Sequence, residues 1–250
     1  MSESLTIVIP VYQEAENIEK MIRRLEACVQ APHQVAIVYD REDDNTLPVV
    51  RKLIPEFPNI VLLRNCRGNR VGVVNAVKTG FYETKSDYVC LVTGDCTDQP
   101  EAIMPMFALA LAGNDLVSGT RYRKGGRKVG GPWVQTQLSR SGNWCFGKLT
   151  GLPLSDATYQ FRIYSRRLLN SVAIETEGGW AISFELSIKA QLGGFRMAEV
   201  GTVWMDRQLG ESKFRLAGWL PAYARLFAWG CCEINRKRWQ TLRCHAAENK

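Results

Sequence analysis

A chain of 250 residues, 46% hydrophobic and 23% charged, is long enough to bury the core of one α/β domain, and its composition excludes a fibrous or disordered protein. The formal net charge of +7 points to an anionic partner such as phosphate, nucleic acid or acidic lipid. Eight cysteines without a CxxC pair, beside only His33 and His245, argue against a zinc centre and read as reduced thiols of a cytoplasmic protein. Met1 is followed by Ser2-Glu3-Ser4 and then at once by a strand, unlike a secretory leader.

Leu5 to Pro10 reads as the first strand, ended by proline, and Ala15 to Val29 as a helix with apolar spacing through Ile18, Met21, Ile22 and Leu25. Gln34 to Tyr39 is the second strand, Thr46 to Ile54 the second helix, Ile60 to Leu63 the third strand, and Val71 to Glu83 the third helix. Asp87 to Leu91 is a fourth, buried strand. Such alternation implies parallel strands joined by right-handed crossovers. Asp115 to Gly119 continues the strands, and the basic, glycine-rich stretch Arg123 to Pro132 reads as an irregular loop, either a mobile phosphate clamp or a solvated linker. Trp133 to Leu149 reads as a helix, Phe161 to Tyr164 as a strand, Phe184 to Leu192 as a helix and Arg196 to Met205 as one strand. The fold class is therefore α/β: a mixed, mainly parallel Rossmann-like sheet flanked by helices in a single domain over 1–215, with 216–250 as a C-terminal extension.

Chemistry concentrates where the fourth strand runs out, at Val92-Thr93-Gly94-Asp95-Cys96-Thr97-Asp98-Gln99-Pro100. In an open α/β sheet the carboxyl ends of the strands form the binding edge. Two carboxylates and a hydroxyl between Asp95 and Asp98 suit a hard divalent cation. A polar turn with Asp98 beside a helix start uses the same residues. The first strand ends in Ile9-Pro10-Val11-Tyr12-Gln13-Glu14 and the second in Tyr39-Asp40, which puts further polar groups on that edge.

Taken together and in order, these segments resemble the inverting glycosyltransferases of family 2, which have a GT-A fold, and within them the dolichyl-phosphate mannose synthase-like branch. The resemblance runs from about Leu5 to Tyr223. It implies a nucleotide-sugar donor held through Pro10, Tyr12, Glu14, Asp40, Asp95, Arg121, Arg207 and Lys213. It implies Mg²⁺ or Mn²⁺ on Asp95, with Thr97 as a second ligand and Asp98 a further candidate. The segment Gly119-Thr120-Arg121-Tyr122, Ser139-Arg140 with Asn143, and Asp156-Ala157-Thr158-Tyr159-Gln160-Phe161-Arg162 match its acceptor motifs. They imply acceptor contacts from Arg121, Ser139, Arg140 and Arg162. Gln135 stands where the family often carries Arg or Lys, and Arg140 or Lys128 is available to replace that cation. Asp206 to Lys213 matches the segment that closes on the donor diphosphate.

A departing diphosphate gains negative charge as the glycosidic bond breaks, and a divalent ion with fixed Arg or Lys donors stabilises it. Asp95, Asp156 and Arg207 are the catalytic candidates, with Asp156 either a base or an orienter of Arg162. Glu185, in an apolar context, reads as structural or acceptor-side. The implied partners are a nucleotide-sugar, a polyprenyl phosphate acceptor and an anionic membrane surface, with no nucleic acid and with homo-oligomerisation left open. Leu216 to Ile234 is too interrupted by Pro221, Arg225 and Gly230 to span a bilayer. Its Trp and Arg content suits either an interfacial helix on the cytoplasmic face of a membrane or a helix packed on the sheet. A soluble or glycan hydroxyl acceptor, a metal-dependent nucleotidyltransferase and a basic nucleic-acid-binding module are the competing readings.

Overall fold

Short apolar strands that alternate with amphipathic helices can bury both faces of a sheet only if the helices divide between them, and this chain does so. The structure, a computed structural model, describes residues 3–69, 71–177, 179–207 and 216–248. In chain order the elements are β1 (Leu5–Val11), α1 (Ile18–Cys28), β2 (His33–Tyr39), α2 (Thr46–Leu53), β3 (Ile60–Arg64), α3 (Val73–Glu83), β4 (Tyr88–Leu91), α4 (Ile103–Leu111) and β5 (Leu116–Thr120). They continue with β6 (Arg127–Val129), α5 (Trp133–Thr150), β7 (Arg162–Ser165), α6 (Arg166–Ser171), α7 (Ile182–Gly193), β8 (Met197–Gly201), β9 (Val203–Met205) and α8 (Leu216–Glu248).

The main sheet has the order β3-β2-β1-β4-β7-β5-β8. It is parallel except at β7, which runs antiparallel between β4 and β5. Successive side chains point to opposite faces of a strand. Ile7, Ile9, Val35, Ile37 and Cys90 therefore join α1, α2 and α4 in one core, while Val8, Ala36, Val38, Val89 and Leu91 join α3, α5, α6, α7 and α8 in the other. The register pairs Val11 with Tyr39 and Val8 with Leu91. Strands β1, β2 and β4 thus run out at one edge, and the polar segments after them meet there.

Two sequence expectations change. The stretch from Arg123 to Pro132 is not wholly irregular, because Arg127–Val129 forms β6 and pairs in parallel with β9. Glycine makes this possible: a Cβ on Gly126 would lie 2.3 Å from the Thr120 carbonyl, so only glycine lets the chain fold back over the end of β5. The single strand expected from Arg196 to Met205 is broken at Thr202. Its N–H donates to Thr120 O at 2.9 Å and its carbonyl accepts from Arg127 N at 3.2 Å, so β8 stays in the main sheet while β9 serves the small one.

Helix α8 contains Pro221 and packs onto the domain. The Tyr223 ring stacks on Phe184, and Phe227 meets Phe146 edge to face. Among the described residues no helix is long and apolar enough to cross a membrane.

Helix α3 lies close on the sheet because Gly80 faces Val8: a Cβ there would sit 2.2 Å from Val8 Cγ1. Gly80→Ala should therefore destabilise the fold by about 1–3 kcal/mol through overpacking, despite alanine's better helix propensity. Urea unfolding measures this, and an unchanged or raised midpoint would contradict it.

Candidate functional site

The edge where β1, β2 and β4 run out opens into a cavity of about 1260 Å³. The loop after β1 is fixed from α2: Asp44 accepts from Gln13 N at 3.1 Å and Thr46 Oγ1 from Glu14 N at 2.9 Å. Gln13 takes φ 58°, an uncommon value for a non-glycine residue. This turn leaves Tyr12 on the cavity wall, half exposed, and buries the Glu14 carboxylate at the cavity floor.

In the segment after β4, Cys96 also takes a positive φ, 59°, and the turn it makes divides the two carboxylates. Asp95 faces the cavity. Its Oδ1 accepts from Thr97 Oγ1 at 2.8 Å, and its Oδ2 lies 3.5 Å from Arg207 Nη2. Arg207, brought in just beyond β9, also pairs with Glu14. Asp98 instead faces inward and is fully buried. It accepts from Tyr159 Oη at 2.6 Å and from Thr93 Oγ1 at 2.9 Å, which removes it from the candidate metal ligands.

Just past the end of β5 stands Arg121, whose guanidinium meets Asp156 through Nε at 2.7 Å and Nη2 at 2.9 Å. Asp156 is fully buried and has no surface on the cavity, so it has no free edge to act as a base. Its carboxylate orients Arg121, and only its main-chain carbonyl meets Arg162, at 3.0 Å. Arg162 is itself fully buried, held by Ser183 O at 2.7 Å and Ser187 Oγ at 2.6 Å, and does not reach the cavity. Arg140 is exposed on α5 and also lies off the cavity wall, whereas Ser139 is on it.

Pro10 and Asp40 line the cavity, but both Asp40 oxygens are engaged, with Gly72 N at 2.8 Å and Asn65 Nδ2 at 2.7 Å. Lys213 lies outside the described residues. Glu185 is structural: it accepts from Glu175 N at 2.8 Å and Thr176 N at 2.9 Å and pairs with Lys189.

Two features escaped sequence reasoning. Glu199 on β8 is buried and anchors the Asp156 segment by accepting from Ser155 N at 2.6 Å. Trp180, Phe184, Tyr223 and Phe227 give the cavity an apolar end opposite Asp95 and Arg207. Of the two cations that the sequence offered in place of one at Gln135, Lys128 reaches the cavity wall from β6 and Arg140 does not. The chemistry of the polar end suits a hard cation in part: Asp95 and Thr97 offer oxygen donors, and the described residues hold no cluster of three or more His, Cys, Asp or Glu that would form a complete protein cage. Magnesium-type ions commonly bind through one or two carboxylates, with substrate phosphates and water completing the shell.

Burial pushes Asp98 up to about 6, with the neighbouring Asp95 charge adding to it. A carboxylate raised in the folded state favours folding when protonated; its contribution is full below pH 4 and is lost as pH rises through 6. The stability of the wild type relative to Asp98→Asn should therefore fall by roughly 3 kcal/mol between pH 4 and pH 7. A pH-independent difference would contradict this. Arg121→Ala leaves the buried Asp156 charge without its partner and should cost about 3–5 kcal/mol in the same assay. A loss below 1 kcal/mol would mean that the pair does not hold this corner.

The glycosyl transferase family 2 model matches residues 6–188. A polyprenol monophosphomannose synthase of Mycolicibacterium smegmatis is 29% identical over 231 residues, 90% of this chain and 86% of that protein. A dolichol-phosphate mannosyltransferase of Pyrococcus furiosus is 26% identical over 90% of this chain, which spans 64% of that protein. Among solved structures, glucosyl-3-phosphoglycerate synthase of Mycobacterium tuberculosis with Mn²⁺, uridine diphosphate and glucosyl-3-phosphoglycerate superposes with a TM-score of 0.66 at 18% identity. That match covers 92% of this chain and 80% of the other.

Proposed function

Because the chain belongs to glycosyltransferase family 2, we propose that it moves a sugar, with inversion, from a nucleotide-diphospho-sugar to the phosphate of a polyprenyl lipid. The observation that carries this reading is the two-ended cavity: Asp95, Glu14 and Arg207 at one end, Trp180, Phe184, Tyr223 and Phe227 at the other, and Arg121 with Ser139 between them. A charged donor and an apolar acceptor chain need such a division. The names of the two curated relatives support a lipid-phosphate acceptor.

Asp95 and Thr97 are the residues that would hold Mg²⁺ or Mn²⁺. Held there, a divalent ion would supply positive charge to offset that of the leaving diphosphate. Arg207 stands beside Asp95 and meets the same charge through fixed donors, an interaction strongest in the transition state. Pro10, Tyr12 and Asp40 form the nucleoside end. No residue is asked to act as a base, because a phosphate monoester with a second pKa of about 6 is already largely dianionic near neutrality.

The apolar end adjoins an outward face of α5 on which Trp133, Val134, Leu138, Trp144 and Leu149 are exposed, with Arg140 and Lys148 on the same helix. Tryptophan with basic residues suits the headgroup region of an anionic membrane. We assign this face, with the basic later part of α8, to the membrane surface.

The test offers undecaprenyl phosphate and soluble alcohols side by side, with labelled nucleotide-sugars, Mg²⁺ or Mn²⁺, and with or without anionic liposomes. Label should pass to the lipid phosphate with release of a nucleoside diphosphate, and transfer should rise on liposomes. Asp95→Asn keeps the oxygen that accepts from Thr97 and should lower transfer at least about a hundredfold. Transfer to a soluble hydroxyl alone, indifferent to lipid, would overturn the acceptor assignment. Near-normal turnover of the Asp95→Asn protein would overturn the metal role.

A further inference from the structure

Arg207 enters the polar end of the cavity on a long side chain whose anchor lies elsewhere in the fold. It follows β9, where Asp206 N donates to Val129 O at 2.9 Å, and its own N–H donates to Asp206 Oδ1 at 3.0 Å. These bonds hold its main chain on the small sheet. They leave the several rotatable bonds of the side chain to be fixed by what the guanidinium meets. Asp95 Oδ2 lies 3.5 Å from Nη2, longer than an ordinary hydrogen bond. The closer ion pair is with Glu14.

Glu14 is in turn held from several sides. Its N–H donates to Thr46 Oγ1 at 2.9 Å, and its carbonyl accepts from Asn17 N at 3.0 Å and Ile18 N at 2.9 Å. The carboxylate divides its oxygens: Oε1 takes Arg207 Nη2, and Oε2 takes Asn17 Nδ2 at 3.1 Å. The residue is only 8% exposed. A carboxylate that far out of water needs a charged partner and hydrogen bonds. Burial of Glu14 on the rigid turn after β1 therefore draws the guanidinium to one place, and that place adjoins Asp95.

Resemblance to family 2 implies a donor contact from Glu14, yet each of its carboxylate oxygens already has a protein donor. We infer that Glu14 is a positioning residue: its carboxylate aims the Arg207 guanidinium at the leaving diphosphate and does not itself contact the donor. The inference rests on the sugar-transfer reading above and adds to it the group that fixes its arginine.

Charge and geometry separate on substitution. Glu14→Gln leaves one acceptor oxygen, which cannot serve Arg207 and Asn17 together. It also removes a negative charge from the end that receives the diphosphate. Ground-state binding of the diphosphate should therefore hold or tighten. The transition state, which needs the guanidinium in one position, should lose stabilisation.

The test compares wild type, Glu14→Gln, Arg207→Gln and the double variant at saturating Mn²⁺. Calorimetry reads nucleoside diphosphate binding, steady-state kinetics reads transfer from nucleotide-sugar to a short-chain prenyl phosphate, and urea unfolding checks the fold. Glu14→Gln should lower kcat roughly ten- to a hundredfold. Its nucleoside diphosphate Kd and donor KM should stay within about twofold of wild type, or fall. In the Arg207→Gln background the same change should lower kcat less than about threefold, because the side chain it aims is gone. Glu14→Asp keeps the charge and shortens the reach; it is the second variant should Glu14→Gln fail to fold, and it should show the same split between kcat and Kd. A nucleoside diphosphate Kd raised about tenfold in these variants, with kcat held, would make Glu14 a donor ligand and overturn the inference while leaving the transfer reading intact. Full additivity of the two kcat losses would overturn it as well, since Glu14 would then act apart from Arg207. If wild type transfers sugar to a soluble hydroxyl and not to the prenyl phosphate, the acceptor reading falls and the same comparison on that reaction decides the role of Glu14. Wild type that transfers no sugar to either acceptor would overturn both.

Discussion

A fully buried carboxylate, that of Asp156, holds the corner on which the site is built. Taking an ion out of water costs several kcal/mol, and its attraction to a partner offsets this only with good geometry and further hydrogen bonds. Arg121 provides them from its main-chain N–H, its Nε and its Nη2. The main chain of Asp156 binds Arg162 of β7 through its carbonyl and Glu199 of β8 through its N–H. One residue thereby ties together the ends of β5, β7 and β8, where an antiparallel strand is inserted into an otherwise parallel sheet. The Arg121 guanidinium also lies 4.7 Å over the Tyr159 ring, and Tyr159 donates to Asp98. A single chain of contacts therefore runs from Arg121 on the cavity wall to the segment that presents Asp95.

That arrangement gives one small domain the two unlike ends that the proposed reaction needs. The polar end is assembled from strand ends on the left half of the sheet and closed by Arg207, which arrives from β9. The apolar end is made by α7 and α8, helices that pack on the face opposite α1, α2 and α4. The small sheet of β6 and β9 joins the two: β6 carries Lys128 and β9 leads directly into Asp206 and Arg207.

Much of this was legible in the sequence, for physical reasons that can be named. Strands β1 to β4 and helices α1 to α3 follow from local period and turn chemistry, as does the meeting of Glu14, Asp40 and Asp95 at one edge. The split of the Asp95 and Asp98 carboxylates was not legible, because it depends on Cys96 adopting a positive φ that no propensity signals. Strand β6 was hidden by glycines that read as loop, yet they are what permit close approach to β5. The exclusion of Arg140 and Arg162 from the cavity is a tertiary matter of helix rotation and burial. Glu199 gave no local signal, since its partners lie some forty residues earlier, at Ser155 and Asp156.

The central claim is that one cavity holds a nucleoside diphosphate and a lipid monophosphate at once, on separate sets of residues. The most direct measurement is a crystal structure of the protein with Mn²⁺, a nucleoside diphosphate and a short-chain prenyl phosphate. The expected result is density for the diphosphate at Asp95, Thr97 and Arg207. The monophosphate should lie beside Arg121 and Ser139, with its chain along Phe184 and Tyr223. A prenyl phosphate found at Asp95 in place of the diphosphate, or lying outside this cavity, would contradict the claim.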